Sequence, residues 1–150
     1  MLVVKPCAFG VGVFTTTPIQ AGETVCAFSG PLIDYTQSVS LGDRECDPIQ
    51  VGQGQYIAWD DPARLINHSC EPNCGVNSDD RHVFAVCEIE AGQELYWDYS
   101  TSIGTDETWR LPCECGTPSC RKVVGPFAEL PAELQQQYLE MGIVLSYLRP

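Results

Sequence analysis

Short apolar runs divided by glycine and proline fill the first 126 residues of the chain. "MLVV", "GVGVFTT", "ETVCAFSG", "QYIAW", "HVFAVCEI" and "ELYWDYS" are rich in β-branched and aromatic residues, which predicts strands. "DPARLINHSC" offers a short helical turn from Asp61, with Pro62 in its first position. Residues 34–54 read as a loop or small insert. The pattern changes near the end. In "LPAELQQQYLEMG", Leu130, Leu134, Tyr138 and Met141 fall on one helical face, while Pro131 suits the first turn and Gly142 the stop. One amphipathic C-terminal helix is expected to cover the core, with the apolar "IVLSYL" packing back behind it. "PIQAGETVCAF" and "EIEAGQELYW" echo one another. Two copies suggest a pair of similar strand-entry turns rather than a repeat array.

The length of 150 residues suits one domain with a substantial core. Eight basic against 20 acidic residues give a net charge of −12. That balance argues against the basic footprint that nucleic acid or an anionic membrane requires, and it suits equally a basic partner such as a lysine-rich tail or solubility alone. "MLVVKPC" lacks the pattern of a secretory signal, and no apolar run approaches a membrane span. Nine cysteines, an odd number, point to an intracellular protein that spends some of them on metal rather than to a disulfide scaffold.

"CECGTPSC" sets Cys113, Cys115 and Cys120 in a C-x-C-x4-C pattern. Zinc accepts four thiolates in a tetrahedron, and Gly116 and Pro118 supply a turn that wraps a metal. No histidine or carboxylate sits among these ligands, so a closed structural site is expected rather than a catalytic one. Spacing alone leaves the fourth ligand open among Cys7, Cys26, Cys46, Cys70, Cys74 and Cys87.

"RLINHSCEPNC", from Arg64 to Cys74, crowds a histidine, two asparagines and two cysteines together. A Cys70–His68 nucleophile pair is poorly supported, because such partners are normally distant in sequence. Ser69 has no base beyond His68 and His82, and His82 sits in a strand pattern. "FGVGVF" supplies Gly10 and Gly12 without the third glycine or the following helix of a phosphate loop. Such glycines mark a bulge or let backbone approach a ligand.

Taken in order, "GVGVF", "FSG", "RLINHSCEPNC", "ELYWDYS" and "CECGTPSCRK" resemble the SET-domain protein-lysine methyltransferases with a post-SET zinc segment, over roughly residues 5–122. The resemblance implies a mostly β SET fold of several small sheets around a pseudoknot, where the "NHSC" and "DY" segments thread past each other. It divides the chain into a SET domain (1–105), a post-SET zinc segment (106–124) and a C-terminal helical extension packing on the core (125–150). It implies S-adenosylmethionine as methyl donor, S-adenosylhomocysteine as product, and the ε-amine of a lysine in a protein, expected to be basic, as acceptor. Asn67 and His68 match the donor-binding pair, Gly10, Val11 and Gly12 bring backbone against the donor, and Arg64 buttresses the site. Cys70 matches the fourth zinc ligand, and Tyr99 the catalytic tyrosine. Trp109, just before the zinc cysteines, would either cover the adenine ring or serve in structural packing.

Two positions depart from the family. Phe28 stands where many members carry a tyrosine that hydrogen-bonds the lysine. Trp97 stands where a phenylalanine or tyrosine governs how many methyl groups are added. The alternative reading is therefore a non-catalytic lysine- or peptide-binding module stabilised by zinc. A monomer, cytoplasmic or nuclear and without nucleic-acid or membrane contact, is expected in either case.

Overall fold

Five sheets, none wider than three strands, build the body of the protein, which is described here from a computed structural model covering all 150 residues. Strands β1 (Leu2–Cys7) and β2 (Gly10–Thr15) form a hairpin. Strand β3 (Thr24–Ala27) joins a sheet completed later in the chain, and β4 (Leu32–Asp34) leads into helix α1 (Tyr35–Val39). Strands β5 (Ile49–Gly52) and β6 (Gln55–Ile57) form an antiparallel pair, and β4 lies on the other side of β6. The two-residue β7 (Asn67–His68) follows, then β8 (Cys74–Asn77) and β9 (His82–Ala85), with β9 central between β3 and β8. Strands β10 (Tyr96–Trp97), β11 (Leu111–Pro112) and β12 (Val123–Val124) precede helix α2 (Ala132–Glu140).

All six strand-like runs contain a strand. Their shortness reflects the punctuation: each run holds few residues before a glycine or proline turns the chain. Side chains from every sheet except the β11–β12 pair meet in one core that includes Val13, Ile57, Ile66, Val83 and Leu95, all at most 3% exposed.

The echoing segments are equivalent turns. Ile19 and Ile89 lie opposite each other and exchange both backbone hydrogen bonds at 2.9 Å. After each, a turn closes on a glycine at positive φ, +85° at Gly22 and +89° at Gly92. In one turn Glu23 accepts from the Gln20 N–H at 2.7 Å, and in the other Gln93 accepts from the Glu90 N–H at 2.8 Å.

Residues 34–54 are more ordered than the sequence pattern suggests. They hold α1 and β5, so α2 is not the only helix. Asp34 caps α1 with a capping box: its carboxylate accepts from the Gln37 N–H at 2.8 Å, and the Gln37 side chain accepts from the Asp34 N–H at 2.9 Å. With five residues α1 is too short to show a 3.6-residue period. A register shift between Gln50 and Gly52 blurs the alternation of β5.

At the C-terminal end Tyr138 is buried on the inner face of α2, in a cluster with Phe127, Leu130, Ile143 and Val144. Gly142, at φ +71°, ends the helix, and its N–H returns to the Leu139 carbonyl at 3.1 Å. "IVLSYL" does pack back: Ile143, Val144 and Leu145 are all buried.

Candidate active site and metal centre

Strands β7 and β10 run parallel, with Asn67 opposite Tyr96 and Trp97 opposite His68. Two residues on each side are too few to hold such a pair, and Asn73 completes it. Its amide donates to the Glu94 carbonyl at 2.8 Å, its side-chain oxygen accepts from the Tyr96 N–H at 2.8 Å, and its own N–H reaches the Tyr96 carbonyl at 3.2 Å. Segments about thirty residues apart thereby lie side by side, with Asn67, His68, Trp97 and Tyr99 in one region.

Asn67 is oriented from two directions. Its Nδ2 donates to the Val11 carbonyl at 2.8 Å and to Glu94 Oε1 at 3.0 Å. Asn67 also lines the smaller of two cavities that meet at Tyr99. A side chain at Gly12 would overlap Glu94 Oε1 and stand 3.2 Å from Asn67 Nδ2. A larger residue there would push the Glu94 carboxylate away from Asn67. Gly10, at φ +99°, turns the hairpin. The glycines and Val11 thus fix the Asn67 amide through backbone and through the space they leave.

His68 is held in one tautomer. Its Nδ1 accepts from the Tyr99 N–H at 3.2 Å, so the ring proton is on Nε2, 3.5 Å from Cys70 Sγ. Burial pushes the imidazole down to about 4, against an opposing pull from Asp98. The ring is neutral near pH 7, and its 3.6 Å approach to Asp98 is not an ion pair.

Tyr99 stands between two cavities. The larger, about 450 Å³, is lined by Tyr35, Tyr56, Trp59, Trp97 and Trp109 together with Asp47 and Glu107. The smaller, about 350 Å³, is lined by Phe9, Asn67, His68 and the chain around Cys113–Cys115. Tyr99 and Leu111 border both. The Tyr99 hydroxyl donates to the Ile66 carbonyl at 3.0 Å. Burial, with the Asp47 carboxylate adding to it, holds that hydroxyl well above the usual phenol range. It is therefore a neutral donor rather than a base.

The four sulfurs of Cys70, Cys113, Cys115 and Cys120 lie within 4.8 Å of one another. Cys113 Sγ is 3.8 Å from Cys70 Sγ and from Cys120 Sγ. A zinc–sulfur bond of about 2.3 Å puts the sulfurs of a tetrahedron about 3.8 Å apart, so the donor set fits zinc. Burial pushes the Cys70 and Cys113 thiols up, while at Cys115 burial is outweighed by hydrogen bonds, chiefly from Thr117, which bring the thiol down to about 6. No fourth position is left for water or substrate. None of the nine cysteines is in a disulfide.

Other expected residues fall elsewhere. Arg64 lines the larger cavity, paired to Asp47 at 2.9 Å and to Asp61, so its place is on the far side of Tyr99 from Asn67. Trp109 also faces the larger cavity, its indole N–H directed at Cys46 Sγ at 3.0 Å. Phe28 lines neither cavity. It is buried edge-on against Trp59, with ring centroids 5.2 Å apart, and Trp59 stands 5.7 Å from Trp97. The sequence pattern did not single out Trp59, which lay in a run read as strand, nor Asp98 and Arg121. The only signals for the last two were their places beside Tyr99 and Cys120.

Comparison with known proteins agrees with this geometry. A family profile described as SET domain matches residues 10–100. The histone-lysine N-methyltransferase ash1 of Drosophila melanogaster is 37% identical over 133 residues, covering 77% of this chain but 6% of that protein. Histone-lysine N-methyltransferase 2B of Homo sapiens is 36% identical over 138 residues, covering 80% of this chain and 5% of that protein. The crystal structure of KRYPTONITE in complex with mCHG DNA and SAH superposes with a TM-score of 0.60 at 30% identity, over 81% of this chain and 28% of that one. The chain therefore spans only a small part of these relatives.

Proposed function

Because the chain belongs to the SET-domain family, we propose that it transfers a methyl group from S-adenosylmethionine to the ε-amine of a lysine in a basic protein, such as a histone tail. The position of Tyr99 between two cavities carries this reading. A donor bound in the smaller cavity and a lysine entering from the larger would meet across that ring. The donor supplies an electrophilic methyl on a positively charged sulfur. The amine lone pair forms the new C–N bond as the C–S bond breaks, the sulfur keeps the bonding electrons, and the amine proton leaves to solvent.

Asn67, positioned by Val11, Gly12 and Glu94, and His68 hold the donor. Trp59, Trp97 and Tyr99 form an apolar aromatic wall for the lysine stem. A free lysine amine has a pKa of about 10.4. Desolvation beside a cationic sulfonium lowers it, so no strong protein base is needed. Tyr99 aligns the reacting atoms through its fixed hydroxyl, and alignment supplies much of the rate in such a displacement. The cysteine cluster is a structural zinc site that fixes the 106–124 segment over the donor cavity. The net charge of −12 favours encounter with lysine-rich partners. The relatives' names support a histone.

The purified protein, incubated with methyl-labelled donor and lysine-rich proteins, is expected to place label on lysine. Donor binding without transfer to any basic protein would favour the rival reading, a lysine-binding module without catalysis. The burial of Phe28, which has no hydroxyl to offer the lysine, speaks for that rival.

A further inference from the structure

Asp98 is 1% exposed, yet its carboxylate gathers polar groups from three parts of the chain. Both of its oxygens lie 2.8 Å from Arg121 Nη2. The Tyr138 hydroxyl donates to Oδ2 at 2.9 Å and lies 3.2 Å from the Cys70 carbonyl. The Ser100 N–H donates to Oδ1 at 3.0 Å, capping the turn that begins at Tyr99. Arg121 Nη2 also reaches Ser100 Oγ at 3.3 Å, and the Arg121 backbone N–H donates to Cys70 Sγ at 3.4 Å. Its Nε and Nη1 are buried with no partner. The guanidinium is thus held through Nη2 alone, by Asp98 and Ser100. Losing either charge would leave the other buried and uncompensated.

We infer that Arg121 is a positioning residue for the donor site, acting through Asp98 on Tyr99 and His68. This inference rests on the methyl-transfer reading. The side chain ties the segment carrying Cys113–Cys120 to the residue next to Tyr99. Tyr99 in turn fixes the His68 ring through its backbone N–H. The Arg121 side chain hydrogen-bonds to no ligand sulfur; the clamp meets the metal site through two backbone contacts, the Arg121 N–H to Cys70 Sγ and the Cys70 carbonyl to the Tyr138 hydroxyl. Tyr138 brings α2 into the same clamp, giving the C-terminal helix a role in the site beyond covering the core.

The test compares Arg121→Met, Arg121→Lys and Tyr138→Phe with the wild type. Zinc content and donor affinity are read by metal analysis and calorimetry, without any acceptor. Arg121→Met keeps the backbone N–H, so zinc should remain at one per chain while donor affinity falls about ten- to a hundredfold, as for loss of a partner that orients a ligand-binding group. Arg121→Lys should recover part of that loss. In turnover assays the KM for donor should rise while the KM for acceptor holds. A merely structural role would instead lower the active fraction and leave both KM values in place, which would overturn the inference. Unchanged donor affinity in a folded Arg121→Met, or loss of its zinc, would overturn it too. Should Arg121→Met fail to fold, Arg121→Lys and Tyr138→Phe decide: weaker donor binding with zinc retained supports the clamp, and unchanged binding refutes it. A wild type that binds no donor refutes the underlying reading first, and this inference with it.

Discussion

The Tyr99 hydroxyl donates to the Ile66 carbonyl at 3.0 Å. The ring that divides the two cavities is therefore held by the residue immediately before Asn67 and His68. The smaller and larger cavities share one support, and a change at either residue should be felt in both.

Metal removal should act on donor binding at a distance. The sulfurs of Cys70 and Cys113 lie 3.8 Å apart, and Cys113 and Cys115 line the smaller cavity. Metal analysis should find one zinc per chain, lost in Cys120→Ser and in Cys70→Ser. Stripping zinc with a chelator should lower both the Tm and the affinity for donor, because structural zinc contributes folding energy directly. A zinc-free protein with normal donor affinity would contradict this.

Trp109 should matter to the acceptor. Its indole faces the larger cavity beside Cys46, whereas sequence position alone suggested a cover for the donor's adenine. Trp109→Ala is expected to raise the KM for a lysine peptide several-fold and to leave donor affinity within about twofold, since the lost aromatic contact with a cationic side chain is worth about 1 kcal/mol. Steady-state kinetics with each substrate varied in turn would separate the two cavities.

The pH profile should have one rising limb. Burial and the Asp47 carboxylate raise the Tyr99 pKa, so its hydroxyl stays protonated where an ordinary tyrosine ionises, at about pH 10. The group that titrates is the lysine amine, which must lose its proton to attack. Activity should therefore rise with pH and stay level through that point. A fall near pH 10 would mean that Tyr99 ionises there and that its neutral form is required.

Much of this was legible in the sequence. The ordered motifs placed Asn67, His68, Tyr99 and four cysteines, and the structure brings all of them to one region. Elements were readable where glycine and proline delimited a run or where Leu134 and Tyr138 kept a helical period, although Leu130 is extended and precedes α2. The insert was not readable, because α1 is shorter than two turns and β5 is bulged. The placing of Arg64 and Trp109 on the larger cavity also escaped the sequence. It depends on which way the chain turns around Tyr99 and on the Asp47 and Cys46 partners in the insert, and neither leaves a local signature. The Asp98–Arg121 pair, 23 residues apart, was invisible for the same reason.

Methyl transfer is expected to cross Tyr99. Its most direct test is kcat for Tyr99→Phe at saturating donor and lysine substrate, with donor affinity measured on the same preparation. Loss of the hydroxyl bonded to Ile66 should lower kcat at least about tenfold while the protein still binds donor, since alignment at the reacting atoms affects the transition state more than binding. A Tyr99→Phe protein that turns over as fast as wild type would contradict the account.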